Sequence, residues 1–181
     1  MFCVNILQID YLKKGVNYMD RIDKINYYLD IAETILERGT CLRKNYGCII
    51  VNNDEIISTG YSGAPRNRKN CLDLGYCVKK KFYPDVRHGG YDACRSVHAE
   101  QNAMLSAARK DMLGGSMYLI GIRKDTNSYE EGANPCQMCR KLIINSGIEK
   151  VYVRIDKTNY EEILVNDWIE NDDLLNGKIT Y

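Results

Sequence analysis

Two short motifs, each at the start of a predicted helix, constrain this chain more than any other feature of its sequence. The first is His98-Ala99-Glu100, which opens an Ala-rich stretch with helical character over residues 98–110. The second is Pro135-Cys136-Gln137-Met138-Cys139, in which Pro135 is predicted to open a helix that ends at Gly147. The two cysteines stand about 60° apart around a helix, so both thiols leave the same edge of its first turn. Both thiols could therefore bind one ion.

These residues predict a catalytic metal centre. One histidine and two cysteines leave tetrahedral zinc a fourth position for water, which is typical of a catalytic rather than a structural site. Glu100 is badly placed to be a ligand beside His98, but it can flank that fourth position as a proton carrier. Helix N-termini favour thiolate and hydroxide, and zinc lowers the pKa of its water to about 7. The site suits attack on an electron-poor, amidine-like carbon.

The cysteine count points the same way. The chain carries eight cysteines and no export signal, a combination that indicates metal binding or catalysis rather than disulfides. Both histidines, His88 and His98, lie among the cysteines. A lone Cys-x-x-Cys pair could be a redox pair or half of a structural zinc finger, and it is the combination with His98 that favours the catalytic interpretation.

Charge and hydropathy argue against two other classes of protein. Lys and Arg number 25 and Asp and Glu number 24, a net charge of +1, so the broad basic surface of a nucleic-acid-binding protein is absent. No apolar run approaches the roughly 18 residues of a membrane span. Residues 1–10 lack a basic leader and a cleavage site. We therefore expect a cytoplasmic protein with no membrane or nucleic-acid partner.

The order of elements predicts an α/β fold. Residues 1–18 match nothing that follows, so we expect an extension that is not native, a start at Met19 and one domain over 19–181. Asp20 is a plausible N-cap of a first helix that stops at Gly39. The further predicted elements are a hairpin of Tyr46–Asn52 and Glu55–Tyr61 turning at Asn53-Asp54, strands at Ser116–Ile122 and Lys150–Ile155, and a last helix at Tyr160–Trp168. Helices alternating with strands imply a sheet covered on both faces.

His-x-Glu followed by Pro-Cys-x-x-Cys is the signature of zinc nucleobase deaminases. From about Arg21 to Val153 the chain resembles, more narrowly, the deoxycytidylate (dCMP) deaminases of the cytidine/deoxycytidylate deaminase family. The resemblance is carried by Thr40-Cys41-Leu42-Arg43, Gly47-Cys48-Ile49-Ile50-Val51, Thr59-Gly60-Tyr61-Ser62-Gly63-Ala64-Pro65-Arg66, Asn70-Cys71, His98-Ala99-Glu100-Gln101-Asn102-Ala103 and Ser146-Gly147-Ile148. It implies a three-layer α/β/α fold around a mostly five-stranded mixed sheet.

The activity implied by the resemblance is hydrolysis of dCMP to dUMP and ammonia, which supplies dUMP for thymidylate synthesis. Glu100 would carry a proton from the zinc-bound water to N3 of cytosine and later help ammonia leave C4. Main-chain groups beside Cys136 and Ala99 would hold the pyrimidine. The substrate-binding residues expected are Arg43, Asn45, Ser62, Ala99, Tyr118 and Pro135, with a core role for Tyr118 as the equal alternative.

Departures from the family pattern affect this pocket. Ser62 stands where relatives usually have Asn, and Asn134 replaces a Ser before Pro135. An insertion between Gly121 and Asn134 separates the strand from the second motif, where many relatives pass almost directly. We expect the insertion to alter the roof of the pocket.

The resemblance also implies a second metal and regulation. Some phage relatives carry a structural zinc on residues matching Cys41, Cys71 and His88; Cys94 is the expected fourth ligand and Cys77 its competitor, the alternative being buried thiols without metal. Relatives are often hexamers regulated by dCTP and dTTP, with Mg²⁺ possible beside the effector. Arg66, Arg68 and Lys69 would suit extra phosphates, or form a solvated basic loop.

Other functions stay open at this point. The chain could deaminate another nucleotide or base, such as dCTP, cytidine or guanine. It could also be a non-catalytic, zinc-stabilised binding module, although Glu100 would then have no purpose. Polynucleotide editing is disfavoured because aromatic and basic residues are not interleaved.

Overall fold

The computed structural model describes residues 21–85, 90–172, 175 and 177. The helices are Lys24–Leu36 (α1), Cys71–Leu74 (α2), Val78–Phe82 (α3), Ala99–Leu105 (α4), Arg109–Met112 (α5), Gln137–Ser146 (α6) and Val165–Glu170 (α7), with a 3₁₀ turn at Tyr91–Ala93. The strands are Lys44–Asn52 (β1), Glu55–Tyr61 (β2), Ser116–Arg123 (β3), Lys150–Arg154 (β4) and Tyr160–Leu164 (β5). The proposed extension over residues 1–18 lies outside the described residues.

The five strands form one mixed sheet in the order β2-β1-β3-β4-β5. Strands β3 and β4 are parallel, and the other neighbours are antiparallel. The predicted hairpin of β1 and β2 is confirmed, with Asn53 and Asp54 at φ 49° and 68°. Asparagine and aspartate tolerate this left-handed conformation better than most residues, and tight hairpins require it. Strand β3 lies at the centre of the sheet, and α4 packs over β1 and β2.

Alternate residues of the central strands divide the core into two clusters, one on each face. On one face, Ile49, Tyr118 and Tyr152 pack under α1. On the other, Cys48, Leu119 and Val153 pack under α4 and α6. The predicted three-layer α/β/α arrangement with a five-stranded mixed sheet is therefore confirmed.

Several element boundaries differ from the sequence expectations. The cap of α1 is Asp23, whose carboxylate accepts from the backbone N–H groups of Ile25 and Asn26, not Asp20, which lies outside the described residues. The helix expected over residues 98–110 ends at Leu105, because Ser106 caps it and donates its hydroxyl to the Asn102 carbonyl.

Two further corrections concern the C-terminal half. Cys136, not Pro135, directly precedes the first residue of α6, so Pro135 lies one position before the cap. Gly147 does end this helix, at φ 81°. The helix expected over Tyr160–Trp168 is wrong for its first half, because Tyr160–Leu164 pairs with β4 as an edge strand. The backbone of β4 pairs with these residues, and this pairing overrides the helical spacing of their apolar side chains.

The cysteine-rich segment between β2 and α4 is held by local structure. It contains α2, α3 and the 3₁₀ turn, and its end is fastened by a two-bond bridge between Gly63 and Val97. Within the described part of the chain, no helix has the length and apolar character needed to cross a membrane.

Candidate active site

The two sequence motifs meet at the N-terminal ends of two neighbouring helices. His98 is the N-cap residue of α4, and Cys136 is the N-cap residue of α6. Both helices pack on the same face of the sheet through buried residues such as Ala103 and Ile143. As a result, His98 Nδ1 lies 3.5 Å from Cys136 Sγ and 3.4 Å from Cys139 Sγ. The structure thus brings together the three ligands predicted from sequence.

The spacing of these three atoms fits a tetrahedral zinc ion. Zn–S and Zn–N bonds of ordinary length at a tetrahedral angle separate sulfur from nitrogen by ~3.6 Å. Among the described residues, His98, Cys136 and Cys139 form the group in which three such ligand atoms lie within 4.8 Å of one another. Hydrogen bonds from Cys139 and His98 lower the pKa of the Cys136 thiol, which favours the thiolate that a metal needs.

Glu100 lies beside this group in the first turn of α4. Its residue surface is only 5% exposed, and burial raises the pKa of its carboxyl group above the ordinary value. A carboxyl group with a raised pKa, held next to a metal position, is suited to accepting and returning a proton. The predicted proton carrier therefore has an environment appropriate to that role.

A cavity of about 300 Å³ opens onto Glu100 and His98. Three cationic side chains, which we call the cationic wall, line it: Arg43, Lys44 and Lys79. Tyr46 and Tyr91 supply aromatic surface, and Cys41, Ser62, Cys77, Cys94, Ser96 and Ala99 complete the lining. A cavity lined by an acid, a metal ligand and three cationic side chains suits a small anionic substrate.

Three of the six substrate-binding residues predicted from sequence line this cavity, namely Arg43, Ser62 and Ala99. The Ser62 hydroxyl oxygen accepts a hydrogen bond of 2.9 Å from the Tyr46 N–H, which fixes the loop after β2. Pro135 is fully buried beside the metal position, and its carbonyl accepts from Arg140 Nε.

Tyr118 and Asn45 are placed differently from the expectation. Tyr118 lies on the opposite face of the sheet, under α1, where its ring stacks on that of Tyr152 at 5.0 Å. Its core role is therefore the correct one. Asn45 is 1% exposed, and its amide accepts from the Cys41 N–H and donates to the Gly39 carbonyl. It braces the loop that carries Arg43 rather than lining the cavity.

The insertion contacts the cavity lining through an ion pair that sequence reasoning did not identify. Glu130, within the insertion, forms an ion pair with Lys44, and its side chain is only 12% exposed. The insertion is fastened to β3 by the bridge between Ile122 and Tyr129. The expectation that it alters the pocket thus has a concrete form, since it sets the surroundings of one cation. The acidic composition of the insertion was the signal available in the sequence, but the sequence did not identify Lys44 as the partner of Glu130.

The cysteines expected to form a second metal site are neighbours, and the described residues contain no closed ligand group around them. Cys41, Cys77 and Cys94 line the cavity, and Cys71 is buried behind them. Burial and then the nearby thiols of the other three raise the pKa of Cys71. The remaining expected ligand, His88, lies outside the described residues. Arg66, Arg68 and Lys69 are exposed.

Comparison with known proteins places these residues in context. Residues 22–155 match the family described as "Cytidine and deoxycytidylate deaminase zinc-binding region". The chain is 33% identical over 137 residues to a deoxycytidylate deaminase of Mycobacterium phage D29, covering 74% of this chain and 95% of that protein. It is 32% identical over 126 residues to the deoxycytidylate deaminase of Saccharomyces cerevisiae, covering 70% of this chain and 36% of the yeast protein.

A solved structure is also similar. The dCMP deaminase from the cyanophage S-TIM5, in complex with dCMP and dUMP, has 25% sequence identity and a TM-score of 0.48. The similarity covers 71% of this chain and 78% of the phage chain.

Proposed function

Because this chain belongs to the cytidine and deoxycytidylate deaminase family, we propose that it hydrolyses dCMP to dUMP and ammonia at the site formed by His98, Cys136 and Cys139. The observation that carries the proposal is the meeting of these three ligands with the buried carboxyl group of Glu100. Hydrolytic deamination needs an activated water, a proton carrier and a pocket for a planar base. The product dUMP would serve thymidylate synthesis.

The chain's own residues divide the chemical work. When bound, zinc supplies a Lewis-acidic centre that activates water for attack on C4 of the pyrimidine. Glu100 would accept a proton from the attacking water, deliver it to N3, and later assist the departure of ammonia. Its burial limits the contact of the carboxyl group with bulk water. Main-chain groups at Ala99 and beside Cys136 hold the base against this carboxyl group.

The cationic wall supports a phosphorylated substrate. Arg43, Lys44 and Lys79 line the same cavity as Glu100. A nucleotide phosphate in this cavity would meet three cationic side chains, whereas a free base or nucleoside carries no negative charge to pair with them. The pairing of Lys44 with Glu130 reduces the net positive charge of the wall, which favours a monophosphate over a triphosphate.

Substitution of Glu100 tests the mechanism. Glu100→Gln should keep the zinc content of the wild-type protein and lower kcat for dCMP by at least about 10²-fold, the scale of general acid-base catalysis. Cys139→Ser is the matched control, because it should lose both the zinc of the His98, Cys136 and Cys139 site and the activity. Release of ammonia by Glu100→Gln at the wild-type rate would refute the proton-carrier role.

A substrate panel tests the specificity and the competing functions. Loss of the amino group is measured with dCMP, dCTP, CMP, cytidine, cytosine and guanine. We expect dCMP to give the highest kcat/KM. A higher value for dCTP or a free base would replace the proposed substrate, and no turnover of any member by zinc-loaded protein would favour the binding-module alternative.

We further propose that a second zinc is held in the cysteine-rich segment. Burial and then the nearby thiols of Cys41, Cys77 and Cys94 raise the pKa of Cys71, and this proximity supports a ligand cluster there. Four ligands close a structural site, and we propose Cys41, Cys71, His88 and Cys94, with Cys77 as the competitor of Cys94. A structural zinc would hold a segment that has little apolar packing of its own. Metal analysis should find two zinc ions per wild-type chain and one in both Cys71→Ser and Cys139→Ser. One zinc in the wild-type protein would refute the second site.

Membership of the family leads to two further proposals, one on assembly and one on regulation. We propose a cytoplasmic homo-oligomer, a hexamer, whose activity responds to dCTP and dTTP, with Mg²⁺ accompanying the effector. The exposed basic residues Arg66, Arg68 and Lys69 could meet effector phosphates. Sedimentation gives the oligomer size, cell fractionation the location, and assays with each effector, with and without Mg²⁺, test the response. A monomer with unaltered kinetics would contradict the proposed assembly and regulation.

A further inference from the structure

We propose that Tyr91 is a positioning residue of the metal centre. Its side chain holds one metal ligand from each of the two converging helices. The inference rests on the zinc site proposed above and concerns a residue outside both sequence motifs. Tyr91 opens the 3₁₀ turn of the cysteine-rich segment, before the start of α4. Its partners are His98 of α4 and Cys136 of α6.

The first contact is with the ligand histidine. The ring centroids of Tyr91 and His98 are 4.5 Å apart, and the ring planes meet at 81°. This edge-to-face arrangement is a favoured geometry for two aromatic rings. It limits rotation of the imidazole about its side-chain torsions, so that Nδ1 stays directed at the two sulfurs.

The second contact is with a ligand sulfur. The Tyr91 hydroxyl group is hydrogen-bonded to the Cys136 side chain. A hydroxyl that donates to a thiolate withdraws electron density from sulfur and fixes its direction. Partners outside the ligand set orient metal ligands in this way, and their loss typically costs about 10- to 100-fold in metal affinity.

The turn that carries Tyr91 is itself held in place. The Tyr91 carbonyl accepts from the Cys94 N–H at 2.9 Å. A few residues later, Val97 and Gly63 exchange two backbone hydrogen bonds of 3.2 and 2.8 Å. These bonds fasten the segment to the loop after β2, so the phenol is presented to the metal position by an ordered backbone.

The competing interpretation is that Tyr91 serves the substrate alone, because it also lines the cavity. Measurements that need no substrate separate the two. In Tyr91→Phe, which keeps the ring and removes the hydroxyl group, we expect zinc affinity to fall by about 10-fold or more in competition with a chelator. In the Co²⁺-substituted protein, the thiolate-to-metal charge-transfer band should move to longer wavelength, because the sulfur loses a hydrogen-bond donor.

Tyr46→Phe is the matched control. Tyr46 is the other tyrosine in the cavity lining, and the structure shows it in neither of the two ligand contacts described for Tyr91. It should leave the zinc affinity and the Co²⁺ spectrum unchanged. Tyr91→Leu, which also removes the ring, should weaken zinc binding beyond Tyr91→Phe. The thermal unfolding of each zinc-loaded variant establishes that it is folded.

The outcomes separate this inference from the proposed function. Wild-type zinc affinity and an unshifted band in a folded Tyr91→Phe would overturn the inference, and an altered KM alone would assign Tyr91 to the substrate. Weaker zinc binding in Tyr91→Phe together with no dCMP turnover by the wild-type enzyme would leave the inference standing and refute the function. A wild-type protein that binds no zinc would overturn both.

Discussion

Arg154 is a fully buried charged residue that joins α1 to the end of β4. Its guanidinium group donates to the side chain and backbone carbonyl of Asn26, to the Lys157 carbonyl, and to the Asp30 carboxylate. The residue is 1% exposed. Burying a guanidinium group is costly unless its hydrogen bonds are made, so this network has to form together with the packing of α1.

Removing Arg154 should destabilise the folded protein. We expect Arg154→Leu to lower the free energy of unfolding by about 3 kcal/mol, because Asp30 loses a partner and buried carbonyls lose their donors. Lys157→Ala removes an exposed cation from the same Asp30 carboxylate and should cost less than about 1 kcal/mol. Urea unfolding measures both, and equal losses would show that burial adds nothing to this pair.

The chemistry at the residue scale was largely predictable, whereas its surroundings were not. His98, Cys136, Cys139 and Glu100 could be identified because ligand types at helix starts form a pattern within a few residues. For Tyr118 the sequence left a substrate role and a core role equally open, because β3 is buried on both sides and its continuous apolar character does not distinguish the two faces. Tyr91 could not be found, because it lies outside both motifs and its contact with Cys136 joins segments that are distant along the chain.

Two glycines show how closely the helices approach the sheet. A Cβ at Gly60 of β2 would lie 2.2 Å from the Ala99 carbonyl oxygen and 2.4 Å from the Ala103 nitrogen, in the backbone of α4. A Cβ at Gly47 of β1 would lie 2.1 Å from the Ala32 carbonyl oxygen in α1. Each glycine therefore sets the distance of one helix from the sheet, and of these two helices α4, not α1, positions His98 and Glu100.

This pair of positions separates stability from site geometry. Gly60→Ala and Gly47→Ala should each lower the free energy of unfolding by about 1–3 kcal/mol through overpacking. Gly60→Ala should in addition weaken zinc binding and lower kcat, because α4 must move with His98 and Glu100. Chemical unfolding, chelator competition and dCMP kinetics give the comparison, and unaltered zinc affinity in a folded Gly60→Ala would contradict it.

At the scale of elements, the centre of the fold was predictable and its edge was not. The hairpin, β3 and β4 follow from β-branched runs and turn residues, which agree with their tertiary environment. The segment Tyr160–Leu164 was predicted as a helix, because its apolar spacing suits either structure. Its pairing with β4, as Val151 with Ile163, depends on a partner that local sequence does not reveal.

Across the whole molecule, the two faces of the sheet have different chemistry. The face under α4 and α6 holds the metal ligands, whereas tyrosines gather on the face under α1. The rings of Tyr28 and Tyr118 are 5.0 Å apart, as are those of Tyr118 and Tyr152. With 14 Tyr and 2 Phe in the chain, much of the aromatic packing on this second face carries hydroxyl groups.

This arrangement predicts loss of stability in alkaline solution. A hydrogen bond to Asp54 raises the pKa of Tyr28 to about 12, and burial raises those of Tyr118 and Tyr152 to about 12. Tyrosine in an unfolded chain titrates near pH 10. Because the folded pKa values are the higher ones, the unfolded state loses its protons first. The stabilisation is complete below about pH 10 and is lost as the pH rises through about 12.

Urea midpoints from neutral pH upward, with tyrosinate absorbance as a second signal, measure this effect. We expect the wild-type midpoint to fall between about pH 10 and 12, and to fall less steeply in the triple variant Tyr28→Phe, Tyr118→Phe and Tyr152→Phe. Comparing the two chains cancels the lysines that titrate in the same range. Tyr83→Phe, at a half-exposed position, should reproduce the wild-type profile. If the urea midpoint of the triple variant declined as steeply as that of the wild type, the alkaline sensitivity would have to arise outside Tyr28, Tyr118 and Tyr152.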